Sequence, residues 1–155
     1  MSFVLTGLEY GQFEPLFSLS DSQLAELGAR RVIATHRPGF PCRVSLEDAA
    51  IGEELLLLPY VHHDVASPYR ASGPIFIRRG VSRPALAPGQ LPEYVTRRVI
   101  SVRAYDSAHM MVDAAVCEGA AVGKEIERQF AGERVAYIHL HNAPQGCFSC
   151  QVNRA

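Results

Sequence analysis

Two imidazoles, a carboxamide and a thiol fall within nine residues of one another in His139-Leu-His141-Asn142-Ala-Pro-Gln-Gly146-Cys147, beside an apolar run that begins at Val135. Imidazoles bind metals or move protons, a carboxamide orients and donates, and a thiolate is a nucleophile. If Val135 to His141 is a strand, period-two geometry puts Val135, Tyr137, His139 and His141 on one face and Ala136, Ile138 and Leu140 on the other. A polar pair then leaves the end of a core strand together.

Several chemistries could use this group. His139 and His141, at i and i+2, can face one ion, and Cys147 with Cys150 would complete four nitrogen and sulfur donors within twelve residues. The spacing matches no strong zinc pattern, which calls for paired C-x-x-C knuckles or C-x-x-C with H-x-x-x-H. No cofactor is therefore expected, and zinc on His139, His141 and Cys147 is the alternative. Cysteine catalysis needs a thiolate, a histidine to keep it deprotonated and a group orienting that histidine. Cys42 or Cys147 could supply the sulfur, with His139 or His141 and Asn142 as partners. Cys147-Phe-Ser-Cys150 has the redox C-x-x-C spacing, but only Gln151 to Ala155 follow, too few for the activating helix. G-x-S-x-G, P-loop, G-x-G-x-x-G and H-E-x-x-H patterns do not occur.

Two other segments concentrate polar chemistry. Pro38 to Arg43 brings Cys42 and Arg43 after a proline-stiffened turn. Ser67-Pro-Tyr-Arg-Ala-Ser-Gly-Pro74 offers Tyr69, Arg70, Ser72 and Gly73, a mixture suited to a carboxylate or phosphate. The simpler reading of Arg70 is an ion pair with Asp64. His62-His63-Asp64 reads as solvated loop.

The elements that must position these segments are legible from pattern. Ser20 and Gln23 form a capping box, Leu19 and Leu24 a staple, and Gly28 a left-handed stop, giving a helix over about 20–28. Arg31 to Thr35 reads as a β segment. Leu55 to Leu58, bounded by Gly52 and Pro59, suits a strand buried on both faces. Val61 to Gly73 turns polar, and Ile75-Phe76-Ile77 resumes a strand. Gly80 to Pro92 reads as a surface loop, and Pro92 opens a short helical turn. Ile100 to Ala104 and Met110 to Val116 alternate around Asp106-Ser-Ala-His109 as a hairpin. Val122, Ile126 and Phe130 mark a second helix over about 120–131. A last strand runs near Phe148 to Val152. Strands outnumber helices and cluster as meanders, so the fold class is α+β with a largely antiparallel sheet and two main helices.

A chain of 155 residues fits one compact domain, 1–155, able to bury roughly two thirds of its unfolded surface. Fifteen Lys and Arg against sixteen Asp and Glu give a net charge of -1, so no nucleic-acid partner is expected. The start, Met1 to Glu9, lacks a secretory pattern and no stretch approaches about 18 apolar residues, so no membrane partner and a cytoplasmic location are expected. Cys42, Cys117, Cys147 and Cys150 are then thiols rather than bridges. Nothing argues for or against a homo-oligomer.

The stretches Pro38-Gly-Phe-Pro-Cys-Arg-Val-Ser-Leu-Glu-Asp48, Ser67-Pro-Tyr-Arg-Ala-Ser-Gly-Pro-Ile-Phe76, Arg103-Ala-Tyr-Asp106 and Ala136-Tyr-Ile-His-Leu-His-Asn142 with Gly146-Cys147 resemble a family of uncharacterised bacterial proteins, the domain of unknown function 1203 (DUF1203) family. The likeness spans nearly the whole chain and implies a compact single-domain protein without implying an activity. The family pattern runs through Gly146-Cys147 and does not require Cys150, which leaves His139, His141, Asn142 and Cys147 as its polar group. The residues taken together lead to binding of a small polar or anionic molecule in a pocket built by segments 38–43, 67–74 and 139–147. Arg43 and Arg70 would neutralise charge, Tyr69, Ser72 and Gly73 would offer donors, and His139, His141 and Asn142 would complete the wall. The alternative is a cysteine- or metal-dependent enzyme using Cys42 or Cys147 with His139 or His141.

Overall fold

In a computed structural model, which describes residues 2–155, the chain folds into two five-stranded sheets and a few short helices. The strands in chain order are β1 (Phe3–Thr6), β2 (Arg30–Ile33), β3 (Pro41–Cys42), β4 (Glu47–Asp48), β5 (Glu54–His63), β6 (Ala71–Arg78), β7 (Val99–Tyr105), β8 (Met111–Glu118), β9 (Tyr137–Asn142) and β10 (Phe148–Arg154). The helices are α1 (Asp21–Glu26), α2 (Glu93–Thr96) and α3 (Val122–Phe130). One sheet runs β1-β10-β9-β7-β8 and is antiparallel throughout; the other runs β2-β5-β6-β3-β4, with β3 parallel to β6. The class is α+β. The expected antiparallel sheet is in fact two, because pairing between strands distant in sequence leaves no periodic trace that could assign them to separate sheets.

Local chemistry accounts for the elements. The capping box forms, with the Gln23 amide donating to Ser20 Oγ at 3.2 Å and the Ser20 amide to Gln23 Oε1 at 2.9 Å, and Gly28 ends the turn at φ +72°. In α3, Val122, Ile126 and Phe130 repeat every four residues and face the first sheet. There they bury against Ile138 and Leu140 of β9 and Val102 of β7, each fully buried branched side chain contributing about 1.5–3 kcal/mol. Leu56 and Leu58 join one apolar cluster and Leu55 another, so β5 is buried on both faces, as an uninterrupted leucine run requires.

Because Ile138 and Leu140 point to α3, the alternating residues of β9, Tyr137, His139 and His141, point to the other side of the sheet. That face meets β5 of the second sheet, and the site lies in this layer. Gly7 fastens the end of β1 to the segment after β3. A Cβ there would lie 2.1 Å from the Val44 carbonyl oxygen, so only glycine allows the approach. The adjacent Leu8 amide donates to the Arg43 carbonyl at 2.8 Å. No helix among the described residues is long and apolar enough to cross a membrane.

Candidate functional site

The strand β5 does not stop at Pro59 but continues through His63, with a bulge between Tyr60 and His63. In a regular strand His62 and His63 would point to opposite faces. The bulge re-aims them, and both rings lie beside His139, with centroids 6.3 and 5.0 Å away. The expectation that His62-His63-Asp64 is solvated loop is corrected for the two histidines, His63 being 3% exposed and His62 half-buried, while Asp64 is exposed beyond the end of β5. Proline and polar composition suggested a loop, whereas pairing with β6, His63 opposite Ala71, holds the backbone extended.

Five histidines gather in this layer and divide into two sets. His62, His139 and His141 form the first, with one ring nitrogen from each lying within 4.8 Å of the others. His62 stacks on Phe148 at 5.1 Å, and Phe148 also packs edge-on against His139 and His141. Each of the three rings keeps one buried nitrogen without a hydrogen-bond partner: Nδ1 of His62, Nδ1 of His139 and Nε2 of His141. The other nitrogen of His141, Nδ1, lies 3.0 Å from the Gly146 carbonyl. A carbonyl only accepts, so the proton sits on Nδ1 and the Nε2 lone pair is bare. Burial pushes the three protonation equilibria down, to about 4 for His62, about 3 for His139 and about 4 for His141, with neighbouring histidines and Arg103 adding to the effect. All three are neutral near pH 7.

The second set is fully wired. His63 Nδ1 donates to the Tyr69 carbonyl at 2.8 Å, which leaves Nε2 to accept from the Tyr137 hydroxyl at 2.7 Å. The Tyr137 oxygen in turn lies 2.8 Å from His109 Nδ1, which donates to it. His109 stands at the corner of the β7–β8 hairpin with φ +63°, a conformation that costs a non-glycine residue about 1 kcal/mol. Burial raises the Tyr137 phenol to about 12, so it remains a neutral donor.

Behind β9, the turn from Asn142 to Cys147 closes a second feature. The Gly146 amide donates to the Asn142 carbonyl at 2.7 Å and the Asn142 amide to the Cys147 carbonyl at 2.9 Å, with Gly146 at φ +76°. This turn sets Cys147 against Arg43, a residue only 1% exposed. Arg43 Nε donates to the Phe148 carbonyl at 2.7 Å, one terminal nitrogen to the Pro41 carbonyl at 2.5 Å, and the other to Cys147 Sγ at 3.1 Å. No carboxylate lies within ion-pair distance of Arg43 among the described residues. Arg98 nearby is neutralised by the buried Asp48 in a two-pronged pair. Arg43, Arg98, Asn142, Gln145 and Cys147 make the polar end of a cleft of about 330 Å³, and Pro41, Leu57, Pro74 and Phe76 make its apolar wall. Asn142 Oδ1 is buried with no partner.

The model of one family, described as "Protein of unknown function (DUF1203)", matches residues 39–154. The chain belongs to the DUF1203 family. No curated protein and no solved structure matches it. The matched region contains β5 to β10, so all five histidines of the layer and every lining residue of the cleft fall within the DUF1203 match.

The expected site residues thus separate. Arg43, Asn142 and Cys147 come together at the cleft, joined by Pro74 from the third segment. Ser72 and Gly73 lie on β6, in a shallower hollow that shares Leu57 and Pro74 with the cleft. Tyr69 and Arg70 lie apart. Arg70 is exposed and paired with Asp64, the simpler of its two readings, and Tyr69 serves His63 through its carbonyl. Cys42 is fully buried, its sulfur accepting from the Arg78 amide at 3.3 Å, so it cannot reach a substrate. Cys147 Sγ accepts from Arg43 and from Asn142 Nδ2 at 3.9 Å, and among the described residues no histidine is hydrogen-bonded to it. Cys150 points into the α3 core, so the His139, His141, Cys147 and Cys150 donor set does not assemble. All four cysteines are free thiols. Tyr137 lies beside His139 on the face that strand alternation gave it, and the unforeseen members of the layer are His62, His63, His109 and Phe148. The one trace of His62 in the sequence is that Tyr60 and His62, like Tyr137, His139 and His141, place rings at every second position.

Proposed function

We propose that this protein binds a small carboxylate with an apolar body in the cleft between Arg43 and Phe76. The observation that carries this reading is the Arg43 guanidinium, buried at the polar end of the cleft and compensated only by two carbonyls and a thiol. Burying a charge without a counter-charge is costly, and an anion seated beside it offsets that cost. The unpartnered Asn142 Oδ1 would accept from a hydroxyl or amide of the ligand. Pro41, Leu57, Pro74 and Phe76 suit a short aliphatic or aryl body, in a volume at the small end for ligand sites.

The test is thermal unfolding with a series of aliphatic and aryl monocarboxylates and with inorganic phosphate. At ten times Kd a binder adds about 1.4 kcal/mol, or roughly 4 °C for a chain of this length. A carboxylate with an apolar tail should stabilise more than phosphate. Asn142→Asp, which places a carboxylate beside Arg43, should remove the effect, and Arg70→Ala should keep it. If no carboxylate raises the midpoint, the reading fails.

A further inference from the structure

We infer that His62, His139 and His141 form a three-histidine site for a borderline transition-metal dication, zinc foremost. The site shares no residue with the carboxylate cleft, and the inference does not rest on that reading. Two strands of different sheets deliver the ligands: His139 and His141 alternate on β9, and the β5 bulge adds His62 across the layer.

Three buried ring nitrogens without partners in one cluster need an explanation, since buried polar atoms are nearly always paired. A shared metal ion supplies it. Nitrogens on a tetrahedral zinc sit about 3.4 Å apart, and one ring nitrogen from each histidine already lies within 4.8 Å of the others. The imidazoles are neutral near pH 7, which is the ligating form. The hydrogen bond from His141 Nδ1 to the Gly146 carbonyl is the outer contact that metal-ligating histidines usually make, and it aims Nε2 inward.

The donor set selects the ion. Three imidazole nitrogens without a carboxylate favour zinc, copper, nickel or cobalt and disfavour calcium and magnesium. Three protein ligands leave a fourth position open. A groove of about 290 Å³ lined by Glu9, Phe148 and Gln151 reaches the cluster at His62. Arg103, paired with His139 across β7 and β9, brings a positive charge close by and favours an anionic fourth ligand such as hydroxide.

The experiment dialyses the whole protein against a chelator and titrates it with Zn²⁺ by calorimetry and with Co²⁺ by visible absorption. One equivalent should bind per chain, raise the unfolding midpoint and give the intense visible band of four-coordinate Co²⁺. His62→Leu should weaken Zn²⁺ binding at least tenfold while retaining the wild-type circular dichroism. If that variant does not fold, His141→Gln is read in its place. Cys147→Ser and His36→Ala should bind as wild type, and Asn142→Asp should lose carboxylate binding yet keep zinc. No binding to the chelated protein, wild-type affinity in His62→Leu, or loss of binding in Cys147→Ser would each overturn the three-histidine assignment.

Discussion

His62 and His63 are consecutive on β5 and both rings lie against His139, yet their surroundings differ in kind. His63 uses both nitrogens, one on the Tyr69 carbonyl and one on the Tyr137 hydroxyl, in a chain whose donor and acceptor directions are all consistent as far as His109. His62 and its neighbours His139 and His141 hold buried nitrogens that meet nothing. Residue type, burial and ring packing do not separate the two sets. Hydrogen-bond accounting does: a paired buried imidazole contributes to folding, whereas an unpaired one is tolerated against its desolvation cost and marks where a ligand would compensate it.

The contrast breaks most severely at His63. Replacing it with Leu leaves the Tyr69 carbonyl and the Tyr137 hydroxyl without their partner, so His63→Leu should cost about 2–3 kcal/mol in urea unfolding. Tyr137→Phe removes the middle of the chain but leaves the His63 bond to Tyr69 intact. Its cost should be smaller, about 1–2 kcal/mol, with part of it appearing as mobility of the hairpin corner at His109. Equal costs for Tyr137→Phe and an unrelated surface tyrosine change would show that the chain is not coupled.

How far the sequence anticipated this layer follows from which forces act locally. Strand β9 was legible because alternation is a local property: Ile138 and Leu140 on one face oblige His139 and His141 to share the other. The capping box at Ser20 was legible for the same reason. His62 and His63 were not, because the bulge that turns them inward depends on where β6 pairs, and Pro59 with the polar residues after it suggested a loop. Arg70 and Arg43 have equal chemistry in sequence. Arg43 is drawn inward only because the Phe148 and Pro41 carbonyls and the Cys147 sulfur, two of them more than a hundred residues distant, converge on it. The contact between segments 38–43 and 139–147 runs through Arg43 and Cys147, whose position is set by the turn at Gly146, whereas it is the β5 bulge that brings His62 beside His139 and His141.

That turn gives a sharper and smaller test. Gly146 adopts φ +76°, so Gly146→Ala should cost about 1 kcal/mol of stability. The same change displaces the carbonyl that receives His141 Nδ1 and the backbone that sets Cys147. It should therefore alter the alkylation rate of Cys147, while Cys42 and Cys150, both buried, stay slow. Cys150 is further protected because burial pushes its thiol up to about 12. Unchanged labelling in Gly146→Ala would mean that the turn does not govern the sulfur.

The smallest effect is expected where the contrast predicts almost none. In chelated protein, His62→Leu removes a ring whose buried Nδ1 has no partner, so no hydrogen bond is broken and a desolvation cost disappears. Against this stands the lost stacking on Phe148, worth about 0.5–1.5 kcal/mol, partly recovered by leucine packing on the same ring. The two nearly cancel, and the unfolding free energy should stay within about 0.5 kcal/mol of wild type. A loss as large as that of His63→Leu would show that His62 is held by a bond of its own, and the division of the layer into paired and unpaired histidines would fall with it.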